Sequence, residues 1–461
     1  MEKDYKLPEA EVLPISQHSD GHRRRSKRSN HAIAAVLLFF VATFWYTTIG
    51  PAFTLRHGGC THKLSVEQRA ARILKKHPLI DGHNDLMIFI RGKYKNHIYN
   101  NDFQEKFENG GLAQHVDIPR LDRGLQGGAF WSAFYVCPTG ENTTDFSTER
   151  YSSIVKATLE QLDLYKRLGD SYPKYFAPSS NSHEAVKAFA EGHLISPAAI
   201  EGLHQIGNSV SNLRLYHQLG VRYATLTWNC HNKYADAALE TRYNSDARIA
   251  TPYWKGLSPA GRDLVKEMNR LGMLVDLAHV STDTMRDVLV GKGDGDWKGS
   301  LAPPIFSHSS AYAVCPHPRN VPDDILHLVK QRNSVVMINF NPDFISCVPS
   351  NSTSGLPETV PANVTINQVV RHIKHVGELI GYDHVGIGTD YDGIESTPAG
   401  LEDVSKFPDL IAELLRQGIS DKDAAKIAGG NVLRVWKEAD AVAKKLQKTT
   451  KPLEDDIHNP W

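Results

Sequence analysis

Pro78-Leu79-Ile80-Asp81-Gly82-His83-Asn84-Asp85 is a short apolar run that ends in a His-x-Asp pair. On a strand, residues i and i+2 point to the same side, so His83 and Asp85 would present an imidazole and a carboxylate in one direction. Two such ligands suit a divalent cation such as zinc. A buried histidine beside an aspartate in a turn explains the motif equally well. The metal interpretation therefore depends on what the rest of the chain supplies.

Eight apolar runs of this kind lie between residues 79 and 390, and they are near-continuous rather than alternating. Such runs are expected for strands that are covered on both faces. Helical patterns separate many of them, and strand–helix alternation predicts a parallel sheet. Eight strands favour an α/β fold closed into a (β/α)8 barrel of the TIM type over an open sheet. The runs are Leu79–His83, Ala129–Val136, Ala198–Glu201, Tyr223–Trp228, Leu274–His279, Ile305–His308, Val335–Phe340 and Val385–Asp390.

The helical patterns carry recognisable end signals. Ser258 and Pro259 open the pattern with a capping residue and a first-turn proline, and Gly272 ends it. Ser420 and Asp423 resemble a capping box. The predicted helices are Ser65–His77, Glu149–Leu168, Ala260–Leu271, Ile366–Ile380, Asp403–Gln417 and Asn431–Leu446.

Five ionisable residues end, or nearly end, five of the apolar runs. In a barrel those ends meet at one mouth, where active sites are built. Each residue has a structural explanation when taken alone: a helix-capping glutamate, a core histidine, a loop histidine. Together, three histidines, one aspartate and one glutamate at one mouth match a carboxylate-bridged two-metal site. The five residues are His83, Glu201, His279, His308 and Asp390.

Two of the polar residues suit roles other than holding a metal. Asp390, in Gly-Thr-Asp-Tyr-Asp-Gly, could take a proton from a metal-activated water and return it to a leaving group. Arg319, in a loop beyond His308, suits a substrate carboxylate through two parallel hydrogen bonds. The alternative for Arg319 is a surface ion pair with Asp323 or Asp324.

Composition and charge patterning divide the chain into a membrane segment and a globular part. Of 461 residues, 23% are charged and 41% hydrophobic, which is typical of globular proteins. Lys+Arg and Asp+Glu both number 52, so no overall charge imbalance argues for nucleic-acid binding. Residues 22–28 read HRRRSKR, and residues 29–55 contain no charged side chain.

This pattern predicts a transmembrane signal anchor with a cytoplasmic N-terminus, so that the catalytic part would be extracellular or lumenal. A cleaved signal peptide is the alternative. We expect a cytoplasmic segment (1–28), a membrane span (29–55), a stalk (56–64), a barrel domain (65–445) and a C-terminal tail (446–461).

Two further features agree with an outer or lumenal location. Asn142, Asn351 and Asn363 each begin an N-glycosylation acceptor motif. The globular part contains an even set of cysteines, which an oxidising compartment would allow to form two disulfides. Cys60 is left over, which suggests an intermolecular bridge or a free thiol. The even set is Cys137, Cys230, Cys315 and Cys347.

Six motifs in order, D-G-H-N-D, E-G-L-H, D-L-A-H-V-S, F-S-H-S-S-A-Y, R-N-V-P-D-D and G-I-G-T-D-Y-D-G, resemble the membrane (renal-type) dipeptidase family. The resemblance covers roughly residues 65–445 and is highly specific as a set. It implies a (β/α)8 barrel of the metal-dependent amidohydrolase type with two zinc ions, dipeptide substrates, and a homodimer for which Cys60 is a candidate link.

The resemblance also implies a role for each matched residue. It places one zinc on His83 and Asp85, the other on His279 and His308, and Glu201 between them. Asp390 matches the acid/base carboxylate and Arg319 the contact with the substrate carboxylate. The implied disulfides are Cys137–Cys230 and Cys315–Cys347.

One position departs from the family pattern. Animal members carry a substrate-binding histidine in the fourth strand, where this chain has Trp228. An indole cannot accept a hydrogen bond or carry the charge of an imidazolium. His231, three residues further on, is the candidate replacement. The departure leaves the metal ligands intact and affects the expected substrate range.

Three hypotheses follow. The first is hydrolysis of dipeptides by a hydroxide that bridges two zinc ions, releasing free amino acids. The second keeps the same site but gives it lactams or acylated amino acids as substrates. The third is a membrane-displayed binding protein that has lost catalysis, which only Trp228 suggests.

Overall fold

The computed structural model describes residues 64–140, 142–241, 247–293 and 295–455. The predicted cytoplasmic segment, membrane span and stalk, with Cys60, lie outside the described residues. No helix within the described ranges is both long and apolar enough to cross a membrane.

Eight parallel strands close into a barrel in the order in which they occur along the chain. Closure joins the last strand to the first, where Ile387 lies opposite Asp81. The Asp81 carboxylate also strengthens this seam, because it accepts hydrogen bonds from Thr389 N at 2.8 Å and Thr389 Oγ1 at 2.6 Å. The predicted (β/α)8 barrel is confirmed. Its strands are β1 Leu79–Asn84, β2 Gln126–Ser132, β3 Ala198–Glu201, β4 Val221–Thr225, β5 Leu274–Asp276, β6 Ile305–Phe306, β7 Val335–Ile338 and β8 Val385–Ile387.

Helices cover the outside of the barrel, and two short antiparallel hairpins lie in its loops, Leu239–Thr241 with Ala247–Ile249 and Cys347–Val348 with Glu358–Thr359. The helices are Val66–Lys76, Leu86–Tyr94, Asn101–Asn109, Ile118–Arg123, Ser152–Ser171, Pro173–Phe176, Ser182–Ala190, Val210–Gln218, Pro259–Leu271, Thr282–Val290, Asp323–Gln331, Pro342–Ile345, Ile366–Ile380, Phe407–Arg416, Asp421–Ala425 and Asn431–Thr449. A π-helical turn, Lys426–Gly430, leads into the last of these.

The predicted end signals operate as expected on Pro259–Leu271. Ser258 accepts a hydrogen bond from the backbone of Gly261, and Gly272 ends the helix at φ 81°. Ser420 likewise caps Asp421–Ala425 through the backbone N–H of Asp423.

The interior of the barrel is a separate apolar core that a helix seals from below. Val432, Val435, Trp436 and Ala439 of the helix Asn431–Thr449 pack with inward-facing strand residues. Trp436 is fully buried, and its ring lies 5.6 Å from that of Phe130. Because this end is closed, access to the interior is left to the opposite end, where the strands terminate.

Residues 450–455 pack onto the barrel beyond the predicted domain boundary at residue 445. Leu453 packs against the outer core, and its carbonyl accepts a hydrogen bond from Arg214 Nη1 at 2.7 Å. Asp455 accepts hydrogen bonds from the backbone of Val210 and Ser211, at the start of a helix. An acidic side chain there satisfies helix N–H groups that would otherwise lack partners.

Several strands are shorter than the predicted apolar runs. Strand β5 ends at Asp276 and β8 at Ile387, each three residues before the ionisable residue of its run. His279 and Asp390 then adopt left-handed backbone conformations, with φ of 63° and 66°. Such turns are costly for residues other than glycine, and they cluster at functional sites. His279 and Asp390 therefore lie on turns just above their strands, whereas His83 and Glu201 lie within β1 and β3.

The barrel interior is narrow beneath these turns. Gly82 and Gly388 both face the backbone carbonyl of Ser307 across the interior. A Cβ on either glycine would overlap that oxygen, and one on Gly82 would also lie 2.7 Å from Met337 Sδ. Glycine at these positions lets the backbones approach closely enough to close the barrel.

We predict that Gly82→Ala lowers the free energy of unfolding by about 1–3 kcal/mol or more, because overpacking a rigid core forces the backbone to shift. Gly92→Ala is the matched control: no atom lies within 4 Å of its added Cβ, and alanine favours the helix Leu86–Tyr94. Urea unfolding of both variants measures the difference. Equal stabilities for the two variants would contradict the close approach.

Candidate metal centre

Five of the predicted site residues converge at the mouth of the barrel. Glu201 Oε1 lies 2.8 Å from His279 Nε2 and 3.3 Å from His308 Nε2. Glu201 Oε2 lies 3.6 Å from His83 Nε2. On its other side, His83 Nε2 lies 3.0 Å from Asp85 Oδ2. All five residues are buried.

Asp85 reaches this position by a route that differs from the predicted one. Strand β1 ends at Asn84, and Asp85 is the N-cap residue of the helix Leu86–Tyr94. Its side chain makes no capping hydrogen bond, so the carboxylate is free to turn toward His83. The apolar residues after Asp85 belong to this helix and do not continue the strand.

The imidazole of His308 is held in one tautomer by a buried carboxylate. Asp276 accepts hydrogen bonds from Thr225 Oγ1 at 2.5 Å and Ser307 Oγ at 2.6 Å. Because the Ser307 hydroxyl donates to Asp276, its oxygen accepts from His308 Nδ1–H at 2.8 Å. The Nε2 lone pair of His308 therefore points toward Glu201.

The other two histidines are oriented in the same way. His279 Nδ1 lies 3.0 Å from Asn229 Oδ1, which can only accept a hydrogen bond, so Nε2 of His279 carries the lone pair. His83 Nδ1 lies 2.6 Å from the hydroxyl of Tyr223 on β4. Metal-binding histidines commonly use their second ring nitrogen for such an orienting hydrogen bond.

A bound cation explains this arrangement of donor atoms better than a cluster without a cation does. The Nε2 atoms of His279 and His308 lie 3.0 Å apart with lone pairs facing each other, which is repulsive without a positive charge between them. Two ligands about 2.0–2.1 Å from a tetrahedral zinc would lie about 3.3 Å apart. Asp85 Oδ1 is buried with no hydrogen-bond partner among the described residues. The nitrogen and oxygen donors are those that zinc accepts.

The charge distribution also favours positive charge at this point. Burial alone would lower the pKa of His83, but Asp85, Glu201 and Asp390 outweigh it and raise the pKa to about 10. Burial lowers the pKa of His279 and His308 well below the usual value, with Arg319 and His83 adding to the effect. Neutral imidazoles of this kind are the form that binds metal.

Asp390 lies within reach of the same cluster. The donor atoms of His83, Asp85 and Asp390 lie within 4.8 Å of one another, as do those of His83, Glu201 and His308. Burial raises the pKa of Asp390, with Asp85 adding to the rise, to about 6. Asn339 Nδ2 donates to Asp390 Oδ2 at 3.2 Å and fixes the carboxylate.

Arg319 is buried behind His308 and not paired at the surface. Its Nη2 donates to the carbonyl of His308 at 3.3 Å, and its side chain is 1% exposed. Nε is buried and without a partner among the described residues. Asp323 and Asp324, the alternative partners, pair with His375 and Arg286 instead. Burial lowers the pKa of Arg319 to about 10, which leaves it charged at neutral pH.

Trp228 is placed beside the ligands, whereas His231 is not. The Trp228 ring lies 6.3 Å from the ring of His279. His231 Nδ1 lies 3.1 Å from Asp236 Oδ1 and 3.1 Å from the backbone nitrogen of Ala237. These contacts stabilise a loop. The substrate-binding role of His231 stays a prediction.

Both implied disulfides are present and connect loops at the mouth. Cys137–Cys230 joins the loops after β2 and β4, and Cys315–Cys347 joins those after β6 and β7. The three acceptor asparagines, Asn142, Asn351 and Asn363, are exposed.

Sequence reasoning missed the residues that orient the metal ligands and Asp390. Only Asp276 and Ser307 carried a usable signal, because both lie inside the quoted motifs just before a ligand histidine. The other three lie in apolar runs or in loops with no distinguishing pattern. The five are Tyr223, Asn229, Asp276, Ser307 and Asn339.

A family model described as membrane dipeptidase (peptidase family M19) matches residues 67–450. The chain belongs to this family. Dipeptidase aclJ of Aspergillus oryzae is 42% identical over 438 residues, which cover 95% of this chain and 94% of the relative. An uncharacterized dipeptidase of Schizosaccharomyces pombe is 44% identical over 453 residues, covering 96% and 98%.

Solved structures of the same fold agree with the family assignment. A metallo peptidase from Rhodobacter sphaeroides, liganded with a phosphinate mimic of the dipeptide L-Ala-D-Ala, is 25% identical with a TM-score of 0.63. The match covers 79% of this chain and 99% of that one. The probable dipeptidase PvdM from Pseudomonas aeruginosa is 21% identical with a TM-score of 0.67 over 82% of this chain and 99% of that one, which shows the fold alone.

We predict that Ser307→Ala weakens metal binding about 10–100-fold, because His308 loses the hydrogen bond that orients it. Thr225→Val is the matched control, since Thr225 binds the same Asp276 oxygen but does not contact a ligand histidine. Metal retained against a series of competing chelators measures the affinity of each variant. Equal losses of metal affinity in both variants would mean that the hydrogen bonds around Asp276 stabilise the fold and do not orient His308.

Proposed function

We propose that this chain hydrolyses dipeptides with two zinc ions held at the barrel mouth. His83 and Asp85 would hold one ion, His279 and His308 the other, with Glu201 between them. The observation that carries the proposal is the convergence of three imidazole Nε2 atoms on the two oxygens of one buried glutamate. Bound there, the two ions would lower the pKa of a water molecule and polarise the scissile carbonyl.

Asp390 is positioned to move the proton that hydrolysis requires. Its buried carboxylate lies in the same cluster as His83 and Asp85, and a carboxylate so placed can both take and return a proton. It would take the proton of the attacking water and give it to the departing amine. Asn339 orients the carboxylate through a hydrogen bond from its Nδ2.

Arg319 would select short substrates that end in a free carboxylate. A buried guanidinium whose Nε lacks a partner is costly, and a substrate carboxylate would supply the missing acceptor. Because Arg319 binds the backbone of the metal ligand His308, a carboxylate on Arg319 lies close to the reacting centre. Only one amino acid then fits between the cleaved amide bond and the C-terminal carboxylate of the substrate.

The test combines metal content and dipeptide hydrolysis on one sample of residues 56–461, before and after chelation. We expect about two zinc ions per chain and cleavage that is lost on chelation and recovered on adding zinc. Full zinc occupancy without cleavage of any dipeptide would contradict the function. Folded protein that binds no metal would contradict the centre itself.

We predict that Asp390→Asn lowers kcat about 100- to 10,000-fold while two metal ions stay bound, because the amide cannot relay the proton. Asp392→Asn is the control: it lies two residues away, and its carboxylate accepts from the backbone of His115. Kinetics and metal analysis are made on both variants. Loss of metal from Asp390→Asn would make this residue a ligand and not a relay.

We also propose that residues 29–55 anchor the chain in a membrane, with the barrel on the outer or lumenal side. The uncharged segment after HRRRSKR and the exposed acceptor asparagines support this. A mass that does not fall on treatment with an N-glycosidase would argue against it. A dimer linked by Cys60 would be visible on non-reducing electrophoresis.

A further inference from the structure

We infer that Phe134 and Trp228 form an aromatic subsite for the side chain of the N-terminal residue of the substrate, and that this subsite selects large apolar side chains. The inference rests on the proposed function, because it assigns one half of the dipeptide to one side of the mouth. The pair is called the aromatic wall below.

The aromatic wall borders the metal centre and leaves surface available to a ligand. The rings of Phe134 and Trp228 lie 4.8 Å apart at an interplanar angle of 59°. Trp228 in turn lies 6.3 Å from the ring of His279. Both aromatic residues are half-buried. Their faces are apolar, and an indole offers one N–H donor and no acceptor, so the surface suits an apolar group.

The loops that carry the aromatic wall are fixed on both sides. Cys137–Cys230 links the two loops three residues after Phe134 and two after Trp228. The loop after β2 is held further by Gln205 Nε2, which donates to the carbonyl of Ala133 at 2.5 Å, and by His204 Nε2, 2.8 Å from the carbonyl of Tyr135. A subsite that is already formed costs little ordering on binding.

The order of strands around the barrel indicates which half of the substrate meets the aromatic wall. Arg319 follows β6 and Asp390 follows β8. Both would act on the C-terminal residue, Arg319 on its carboxylate and Asp390 on its departing amine. Phe134 follows β2 and Trp228 follows β4, on the other side of the ligands. The N-terminal residue therefore extends toward the aromatic wall.

The experiment compares two pairs of dipeptides on zinc-loaded protein. Phe-Ala against Gly-Ala varies the N-terminal side chain, and Ala-Phe against Ala-Gly varies the C-terminal one. We expect kcat/KM for Phe-Ala to exceed that for Gly-Ala about tenfold or more, since a hydrophobic pocket gains this much from a large apolar group. Trp228→Ala should reduce that ratio about tenfold and leave the Ala-Phe to Ala-Gly ratio unchanged.

Two further variants separate specificity from a structural role. Trp228→Phe keeps an aromatic face and should restore most of the N-terminal preference. Tyr253→Ala removes an aromatic ring that is 48% exposed and makes edge-to-face contacts with Phe146 and Trp254; it should change neither ratio. An equal loss on all four dipeptides in Trp228→Ala, or a change confined to the C-terminal ratio, would overturn the inference.

A wild-type protein that cleaves no dipeptide would count against the proposed function alone. In that case a binding measurement tests the inference. Two phosphinate dipeptide analogues with benzyl or hydrogen on the N-terminal side are then titrated calorimetrically into zinc-loaded protein. About tenfold tighter binding of the benzyl compound to wild type, but not to Trp228→Ala, would support the aromatic wall. Equal affinities, or no binding of either, would overturn it.

Discussion

Glu201 places a carboxylate at the mouth of the barrel, where it is 3% exposed and surrounded by imidazoles. Taking such an anion out of water costs several kcal/mol, and the neutral imidazoles of His279 and His308 do not repay that cost. The burial of the site raises the pKa of Glu201 well above the usual value. A cation between these groups removes the conflict, because it neutralises the carboxylate and accepts the histidine lone pairs.

The surrounding structure holds the metal-binding side chains in one arrangement. Each of the three histidines has its second nitrogen engaged by another side chain, which orients the ring. Tyr223 and Asn229 come from other strands or loops, whereas Ser307 directly precedes His308. Tyr223 shows how the site and the core are joined: its ring packs 5.2 Å from Phe130 inside the barrel, while its hydroxyl contacts His83. Below this polar layer the interior narrows at Gly82 and Gly388 and then fills with apolar side chains. The metal-binding side chains therefore lie directly above a closely packed, rigid core.

The sequence predicted the barrel and the converging groups because both follow from the chain order of strands. Parallel strands that alternate with helices place all their ends at one mouth, whatever the details of each end. It did not predict where each strand ends, because the left-handed turns at His279 and Asp390 leave no mark in the apolar pattern. Nor could it predict Tyr223 beside His83, since the two are 140 residues apart and Tyr223 reads as an ordinary strand residue. Contacts of that kind depend on the register around the barrel.

The mouth is divided into two halves of different chemistry, and the disulfides follow that division. Cys315–Cys347 ties the loops after β6 and β7, beside Arg319, while Cys137–Cys230 ties the loops after β2 and β4, which carry Phe134 and Trp228. Each bridge therefore stiffens one half, and neither crosses the opening between them. A substrate that lies across the ligands would meet the buried guanidinium of Arg319 at one end and the aromatic wall at the other. Because both groups are held by contacts within the protein, discrimination between substrates depends on how well their two ends match these groups, with little contribution from loop rearrangement.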